Sequence, residues 1–379
     1  MASMSRLRPF LVPGAVVLVA VAAYVFRVHK VLVDFEVYRV AAGRALHAAT
    51  LYRAEDGHYQ YKYFPAFAFV MAPFAWMPDR VARAVWFALT LGFLTAFLRI
   101  SLAALPDRRK AARPLLWLTV LVTGKFWVKE LAFGQTNVLL GLALMGALLA
   151  ARRRQPRLAG ALVGVAIFIK PYALLMVPWL AWSEGLAAVA ACGVAVAAGL
   201  FLPAAAYGWR GNLDELVAWF RTVTGTTAPN LLDAENISLA TMWAKWLGPG
   251  RTASLLALAS NVAVLTFPVL AVARRRGVPE PLYLELGVLL LLIPIVSPQG
   301  WDYVLLVAAP AFLCLLDRLP EMSMPWRTVT LAAIALVSFT IFDLIGRAAY
   351  LKLMDLSVVT IGALMLLVSL THLRWRRLA

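Results

Sequence analysis

The chain predicts an all-α, polytopic integral membrane protein of about twelve transmembrane helices, and three observations lead there. Of its 379 residues, 63% are hydrophobic and only 15% charged, whereas soluble domains run at about 45–50% and about 25%. The mean hydropathy is +0.80. Apolar runs of helical length recur from one end to the other, and at about 20 residues per bilayer crossing roughly twelve spans would use about 240 residues. A water-soluble fold, a disordered chain, a coiled coil and a disulfide scaffold are excluded by the same composition.

The apolar runs fall at 10–26, 81–104, 114–131, 134–151, 158–183, 186–207, 252–273, 282–297, 302–316, 327–345 and 356–372, with a further piece at 63–77 interrupted by Pro65 and Pro73. The first, Phe10 to Phe26, has no small-residue cleavage site and reads as a retained first helix. Two polar stretches break the pattern, at 27–62 and 208–250. The net charge of +17 gathers in short loops: Arg108, Arg109, Lys110 and Arg113; Arg152 to Arg154; Arg274 to Arg276; Arg374, Arg376 and Arg377. Basic loops of this kind mark the cytoplasmic side of a membrane protein, which argues against nucleic-acid binding. If all of them are cytoplasmic, both termini are inside and the loops around 27–79 and 208–250 are outside. The 63–77 piece then stays at the outer surface or re-enters, and the 158–183 stretch crosses twice, broken near Lys170-Pro171. Cys192 and Cys314 are expected to pack rather than pair, and the four histidines lack ligand spacing. No internal repeat is evident, and the whole chain reads as one transmembrane domain.

The first outer loop opens Asp34-Phe35-Glu36-Val37-Tyr38. At 1.5 Å per residue from a helix starting near Phe10, Asp34 falls just beyond the hydrocarbon, at the depth of lipid headgroups. Residues 37–47 have a modestly amphipathic pattern that suits a short juxtamembrane helix, with Val37, Val40 and Ala41 opposite Arg39, Gly43 and His47. Lys170 stands inside an apolar run, where a lone charge costs several kcal/mol on most scales. Lys125 and Lys129 are four apart and share a helix face. These lysines, with Arg251, are candidates to hold a phosphate. Gln135 and Asn137 supply amides suited to sugar hydroxyls.

In order and spacing, the motifs resemble glycosyltransferase family 87: Asp34-Phe35-x-Val37-Tyr38, Leu51-Tyr52, Tyr63-Phe64-Pro65-Ala66-Phe67, Phe133-Gly134-Gln135-Thr136-Asn137, Leu158-Ala159-Gly160-Ala161-Leu162 running to Lys170-Pro171, Asn236-Ile237-Ser238-Leu239 and Ser297-Pro298-x-x-Trp301. The likeness covers roughly residues 30–310. It implies a GT-C type membrane enzyme that uses a polyprenyl-phosphate sugar, with an acid in its first extracytoplasmic loop. By that match Asp34 is the general base, and Tyr38, Asn236 and Trp301 join Gln135 and Asn137 on the sugar and acceptor side; Glu36 is secondary, and Asp302, where the sequence departs from the family pattern, either faces the acceptor hydroxyls or marks a donor site arranged differently. The family pattern has a histidine shortly after Ser-Pro-x-x-Trp; here Asp302 stands in that region.

The chemistry fits these roles. A polyprenyl phosphate is a good leaving group, so the enzyme needs a base for the acceptor hydroxyl and cations for the departing phosphate. The expected reaction is inverting transfer of a sugar, with mannose first and arabinofuranose second, to a glycolipid or glycan at the extracytoplasmic face of the plasma membrane. A transporter of lipid-linked sugars is the alternative from another class. No cofactor or metal is expected, although an Asp-x-Glu pair is also a pattern that a divalent ion could use. The partners expected are the donor, the acceptor and membrane lipids.

Overall fold

Proline and glycine set most of the helix boundaries. The computed structural model describes residues 19 and 21–377, so most of the 10–26 stretch lies outside the described residues; Val21 to Phe26 are helical. Helix α1 (Val33–Leu46) comes next. The 63–77 piece forms two short helices, Pro65–Val70 and Ala72–Ala75, packed on α1. Then come α2 (Asp79–Ala103), α3 (Ala112–Phe133) and α4 (Asn137–Arg152), with a 119° bend between α3 and α4. Helix α5 (Pro156–Ile169) stops at Lys170, because Pro171 drives the residue before it into extended backbone, φ −147° and ψ 123°. A 3₁₀ turn leads into α6 (Met176–Glu184). Thus the 158–183 stretch is broken at the expected dipeptide.

Helix α7 (Leu186–Phe201) meets α8 (Ala204–Gly225) at 91°. With α9 (Leu239–Leu247), α8 makes much of the expected polar stretch at 208–250 helical. Ser238 caps α9 by accepting the Thr241 amide at 3.1 Å. Beyond it lie α10 (Arg251–Val264), continued by α11 (Thr266–Ala273), then α12 (Leu282–Val296) and a 3₁₀ segment entering α13 (Ala309–Arg318). The last long elements are α14 (Met324–Phe339), α15 (Arg347–Asp355) and α16 (Val358–Trp375). Among the described residues there is no β-strand, only a single bridge between Asn236 and Trp301.

The basic loops meet at one end of this bundle. Asp317 accepts the backbone amides of Arg109 and Lys110, and Arg318 reaches the carbonyls of Pro106 and Asp107. Arg152 pairs with Glu280, and Arg374 donates to the Pro281 carbonyl. The opposite end gathers the start of α1, the α3–α4 bend, the Lys170 break, the loop at 233–237 and the segment at 297–303.

Beyond its first turn, which carries Glu285, helix α12 is apolar on every face, and every residue from Tyr283 to Ile295 is buried, which makes it the central pillar. Helix α5 packs closely on α7. A Cβ on Gly160 would collide with the Ala188 carbonyl, and one on Gly164 would lie 2.6 Å from Ala195 Cβ, so the Gly-x-x-x-Gly spacing lets two backbones approach as in membrane helix pairs. By contrast, the most apolar stretch of α10 and α11, with a mean hydropathy of 2.2, is only 17% buried. Leu255, Leu258, Val262 and Val269 are all more than half exposed. An apolar surface of that extent belongs against lipid.

Among the described residues, four helices are long and apolar enough to cross a membrane, or six if each strongly bent pair is one span. Three more apolar helices (α5, α12 and α14) have 14 to 16 residues, short of the roughly 20 a bilayer takes. Neither count reaches the expected twelve: proline, glycine and 3₁₀ turns shorten many of the apolar runs, and most of the 10–26 run lies outside the described residues.

Candidate active site

Asp34 sits in the first turn of α1 rather than in a loop. The helix begins four residues before the expected amphipathic stretch, and its buried face is Phe35, Tyr38, Ala41, Ala42 and Ala45, with Val40 left exposed. The expected face was displaced because α1 packs on protein through its aromatics: Phe35 stacks on Trp86, and Tyr38 meets Phe67 edge-on.

The α3–α4 bend is built against this turn. Gly134 ends α3 in the left-handed region, φ +72°, and a Cβ there would lie 2.7 Å from Phe35 Cβ, so the close approach requires glycine. Trp86 donates to the Gly134 carbonyl at 3.0 Å, and the Leu32 amide donates to the Ala132 carbonyl at 2.9 Å. These contacts deliver Gln135, whose Nε2 donates to Asp34 Oδ2 at 2.6 Å and to the Tyr303 hydroxyl at 3.3 Å.

Asp34, Gln135 and Tyr303 open onto a cavity of about 610 Å³, within the range of about 300–1,000 Å³ usual for small-molecule sites. Of the residues expected from sequence, Asp34, Tyr38, Gln135, Lys170 and Trp301 line it. Lys62, His58, Asp233, Glu235 and Trp219 also line it and were not singled out as site residues. Lys170 is 8% exposed, with its ammonium 5.9 Å from the centre of the Tyr303 ring. Among the described residues, no carboxylate is in ion-pair contact with Lys170 or Lys62. Tyr61 and Tyr63 pin the backbone on either side of Lys62: Tyr61 donates to the Phe64 carbonyl, and the Tyr63 hydroxyl bonds those of Tyr38 and Thr136. Trp219 holds the Lys62 carbonyl at 3.1 Å.

Burial pushes the Asp34 carboxyl above its ordinary value of 3.8, against the opposing pull of the Gln135 hydrogen bond and the charges of Lys170, Lys62 and His58. Burial likewise lowers Lys62, opposed by Asp34. A carboxylate raised toward neutrality is a better proton acceptor for a hydroxyl.

Several expected residues are engaged elsewhere. Glu36 lies two positions from Asp34, so it leaves the helix on another face; it pairs with Arg39 at 2.7 Å and Arg83 at 2.8 Å. The two acids therefore do not converge, and among the described residues no group of three His, Cys, Asp or Glu side chains is arranged for a metal. Lys129 is held by Asp302 at 2.7 Å and Glu235 at 2.8 Å, while Lys125 lies 3.7 Å from Asp302 and donates to the Thr340 carbonyl. Neither lysine lines the cavity, and Asp302 neutralises them rather than facing a sugar. Asn137 donates to Glu130 at 2.7 Å. Asn236 bonds the Asn230 and Pro298 carbonyls and accepts from Ser238 and Gly300, which ties the outer loop to the Ser-Pro-x-x-Trp segment. Arg251 is exposed at the start of α10, outside the cavity.

The model of a protein family described as Glycosyltransferase family 87 matches residues 61–298. The chain is also 28% identical over 342 residues to the polyprenol-phosphate-mannose-dependent alpha-(1-2)-phosphatidylinositol mannoside mannosyltransferase of Mycobacterium tuberculosis, with 83% of this chain and 77% of the relative covered. The matched region holds Lys62, the Gly134 bend, Lys170 and the outer loop at 233–236, and it reaches to Pro298; Asp34 precedes it. With more than half of its residues inside that match and its helices apolar on lipid-facing sides, the chain belongs to glycosyltransferase family 87 and is an integral membrane protein.

Proposed function

We propose that the protein transfers a sugar, mannose in the first instance, from a polyprenyl phosphate to a hydroxyl of a glycolipid or glycan, with inversion at the anomeric carbon. The observation that carries this reading is a half-buried carboxylate sharing one cavity with two lysines that have no carboxylate partner among the described residues. A buried cation without a counter-charge is costly, and a phosphodiester supplies the missing negative charge. The mannose assignment rests on the name of the mycobacterial relative.

In this mechanism the donor phosphate lies against Lys170 and Lys62, and the acceptor hydroxyl lies within reach of Asp34. Asp34 takes the hydroxyl proton as the oxygen bonds to the anomeric carbon, on the face opposite the phosphate. The bond from that carbon to the phosphate oxygen breaks, and its electron pair leaves with the polyprenyl phosphate. The second negative charge developing on the phosphate is met by the two ammonium groups, which is where stabilisation specific to the transition state arises. Transfer draws on these side chains alone, without a divalent ion.

The same reading places the cavity outside the cell. The basic loops gather at the other end of the bundle, and such loops stay cytoplasmic. Counting short and broken helices as crossings, successive segments alternate between the two ends, which supports twelve passes with both termini inside and α1 at the outer headgroup layer.

The test is purified protein with polyprenyl-phosphate mannose and extracted membrane lipids. Wild-type protein is expected to form a mannosylated lipid, and Asp34→Asn to lower the rate by about 10²–10⁴-fold. Undiminished transfer by Asp34→Asn contradicts the assignment.

A further inference from the structure

We propose that Gln135 is the positioning residue of this site: its amide fixes the Asp34 carboxylate so that one oxygen is held by the protein and the other is left for the substrate, and Glu130 holds Gln135 in place. The inference rests on the reading of Asp34 as the base.

The geometry is specific. Gln135 is 4% exposed, and its Nε2 directs hydrogen bonds to Asp34 Oδ2 and the Tyr303 hydroxyl. Its Oε1 is buried with no partner among the described residues. A buried amide normally satisfies both ends; this one is oriented for the carboxylate at the expense of its own oxygen. Turning it over would place Oε1 against Asp34 Oδ2, two acceptors facing each other.

The support behind Gln135 runs to Glu130, a buried acid that the sequence reading did not single out. Its two oxygens accept from Asn137 Nδ2 and the Val138 amide, each at 2.7 Å. The carbonyl of the same residue accepts the amides of Gly134 and Gln135, each at 3.0 Å. Glu130 therefore clasps both sides of the α3–α4 bend and fixes where the Gln135 side chain emerges. Asn137, read from sequence as a sugar ligand, becomes part of that clasp.

The groups facing Asp34 are Lys62, His58 and Tyr63 from the first outer loop, Tyr38 one turn along α1, Glu130 from the end of α3, Lys170 from the break after α5, Tyr303 from the 3₁₀ segment and Gln135 itself. Of these, Gln135 alone makes a direct hydrogen bond to the carboxylate. A hydrogen bond to the charged form favours that form, so removing it raises the proton affinity of Asp34 and loosens its aim.

The experiment measures kcat, donor KM and the pH dependence of kcat/KM for wild type, Gln135→Leu and Gln135→Glu in detergent, with thermal unfolding of each. Gln135→Leu is expected to lower kcat by about 10²-fold, the size of effect that a misplaced catalytic group produces, with donor KM within about twofold, since a positioning group leaves ground-state donor binding untouched. Its acid limb moves to higher pH. Gln135→Glu moves that limb further, because a second carboxyl beside Asp34 penalises ionisation. An unchanged acid limb in Gln135→Leu overturns the proposal, as does a loss carried wholly by donor KM. If Gln135→Leu does not fold, Gln135→Asn decides, because its shorter amide draws back from Asp34 without adding a charge: a lower kcat with a raised acid limb supports the proposal, and an unchanged kcat and limb overturn it. An inactive wild type, or an active Asp34→Asn, defeats the reading of the base instead; normal Gln135 variants beside an inactive Asp34→Asn defeat only this inference.

Discussion

Replacing Lys170 by methionine separates a phosphate-binding lysine from one that merely snorkels. Methionine keeps the unbranched stem and removes the charge. In the structure Lys170 is 8% exposed, set at a helix break with its ammonium 5.9 Å from the centre of the Tyr303 ring, and has no ion-pair partner among the described residues. Hydrogen bonds to a charged group are worth about 1.5–3 kcal/mol. At 1.4 kcal/mol per tenfold, that is about 10–150-fold in kcat/KM for the donor. Part of the loss belongs in kcat, because the second charge on the phosphate appears only as the glycosidic bond breaks. Stability should go the other way: an unneutralised buried charge is a cost to the fold, so Tm stays level or rises. The assay is steady-state transfer at varied donor concentration beside thermal unfolding in the same detergent. A fall in Tm with unchanged kinetics per folded molecule would refute the reasoning, since Lys170 would then be a structural residue.

Three further outcomes follow from the same geometry. Because burial raises the Asp34 carboxyl and only its ionised form accepts a proton, kcat/KM should rise with pH, and its acid limb should be lost as pH falls through a midpoint above the ordinary aspartate value of 3.8; a pH–rate profile in constant ionic strength reads it. Glu36→Gln should leave transfer within about twofold and cost at most about 1 kcal/mol of stability, the scale of half-exposed ion pairs, and transfer should survive EDTA because Glu36 and Asp34 leave α1 on different faces. Asp302→Asn strands Lys125 and weakens the hold on Lys129, so unfolding measurements should show a loss of about 3–5 kcal/mol, as for a broken buried pair, with donor KM unchanged.

The way the chain displays its function explains which residues were legible. Asp34 and Lys170 could be found because each breaks an expectation set by its neighbours: an acid just past an apolar helix, and a cation inside an apolar run. Glu130 gives the same signal, an acid within the apolar stretch Ala112–Phe133, and the rule applied to Lys170 would have found it. Lys62 has no such signal. It is a lysine in a polar loop, and only the tyrosines on both sides and Trp219 turn it toward the cavity. Lys125 and Lys129 do share one helix face, as their spacing requires, but which acids meet that face depends on a loop more than 100 residues away and a segment 173 away. The number of full-length helices among the described residues falls short of the expected twelve for a related reason. Hydropathy marks where chain is apolar, whereas Gly134, Pro171 and the 3₁₀ segments decide where it bends, and those bends build the site.

The most direct measurement is a structure of the protein with a non-transferable polyprenyl-phosphate sugar analogue. The account predicts phosphate density against the ammonium groups of Lys170 and Lys62, with the anomeric carbon turned toward the free oxygen of Asp34. A phosphate seated instead beside Lys125 and Lys129, with Asp34 remote from the sugar, would contradict it.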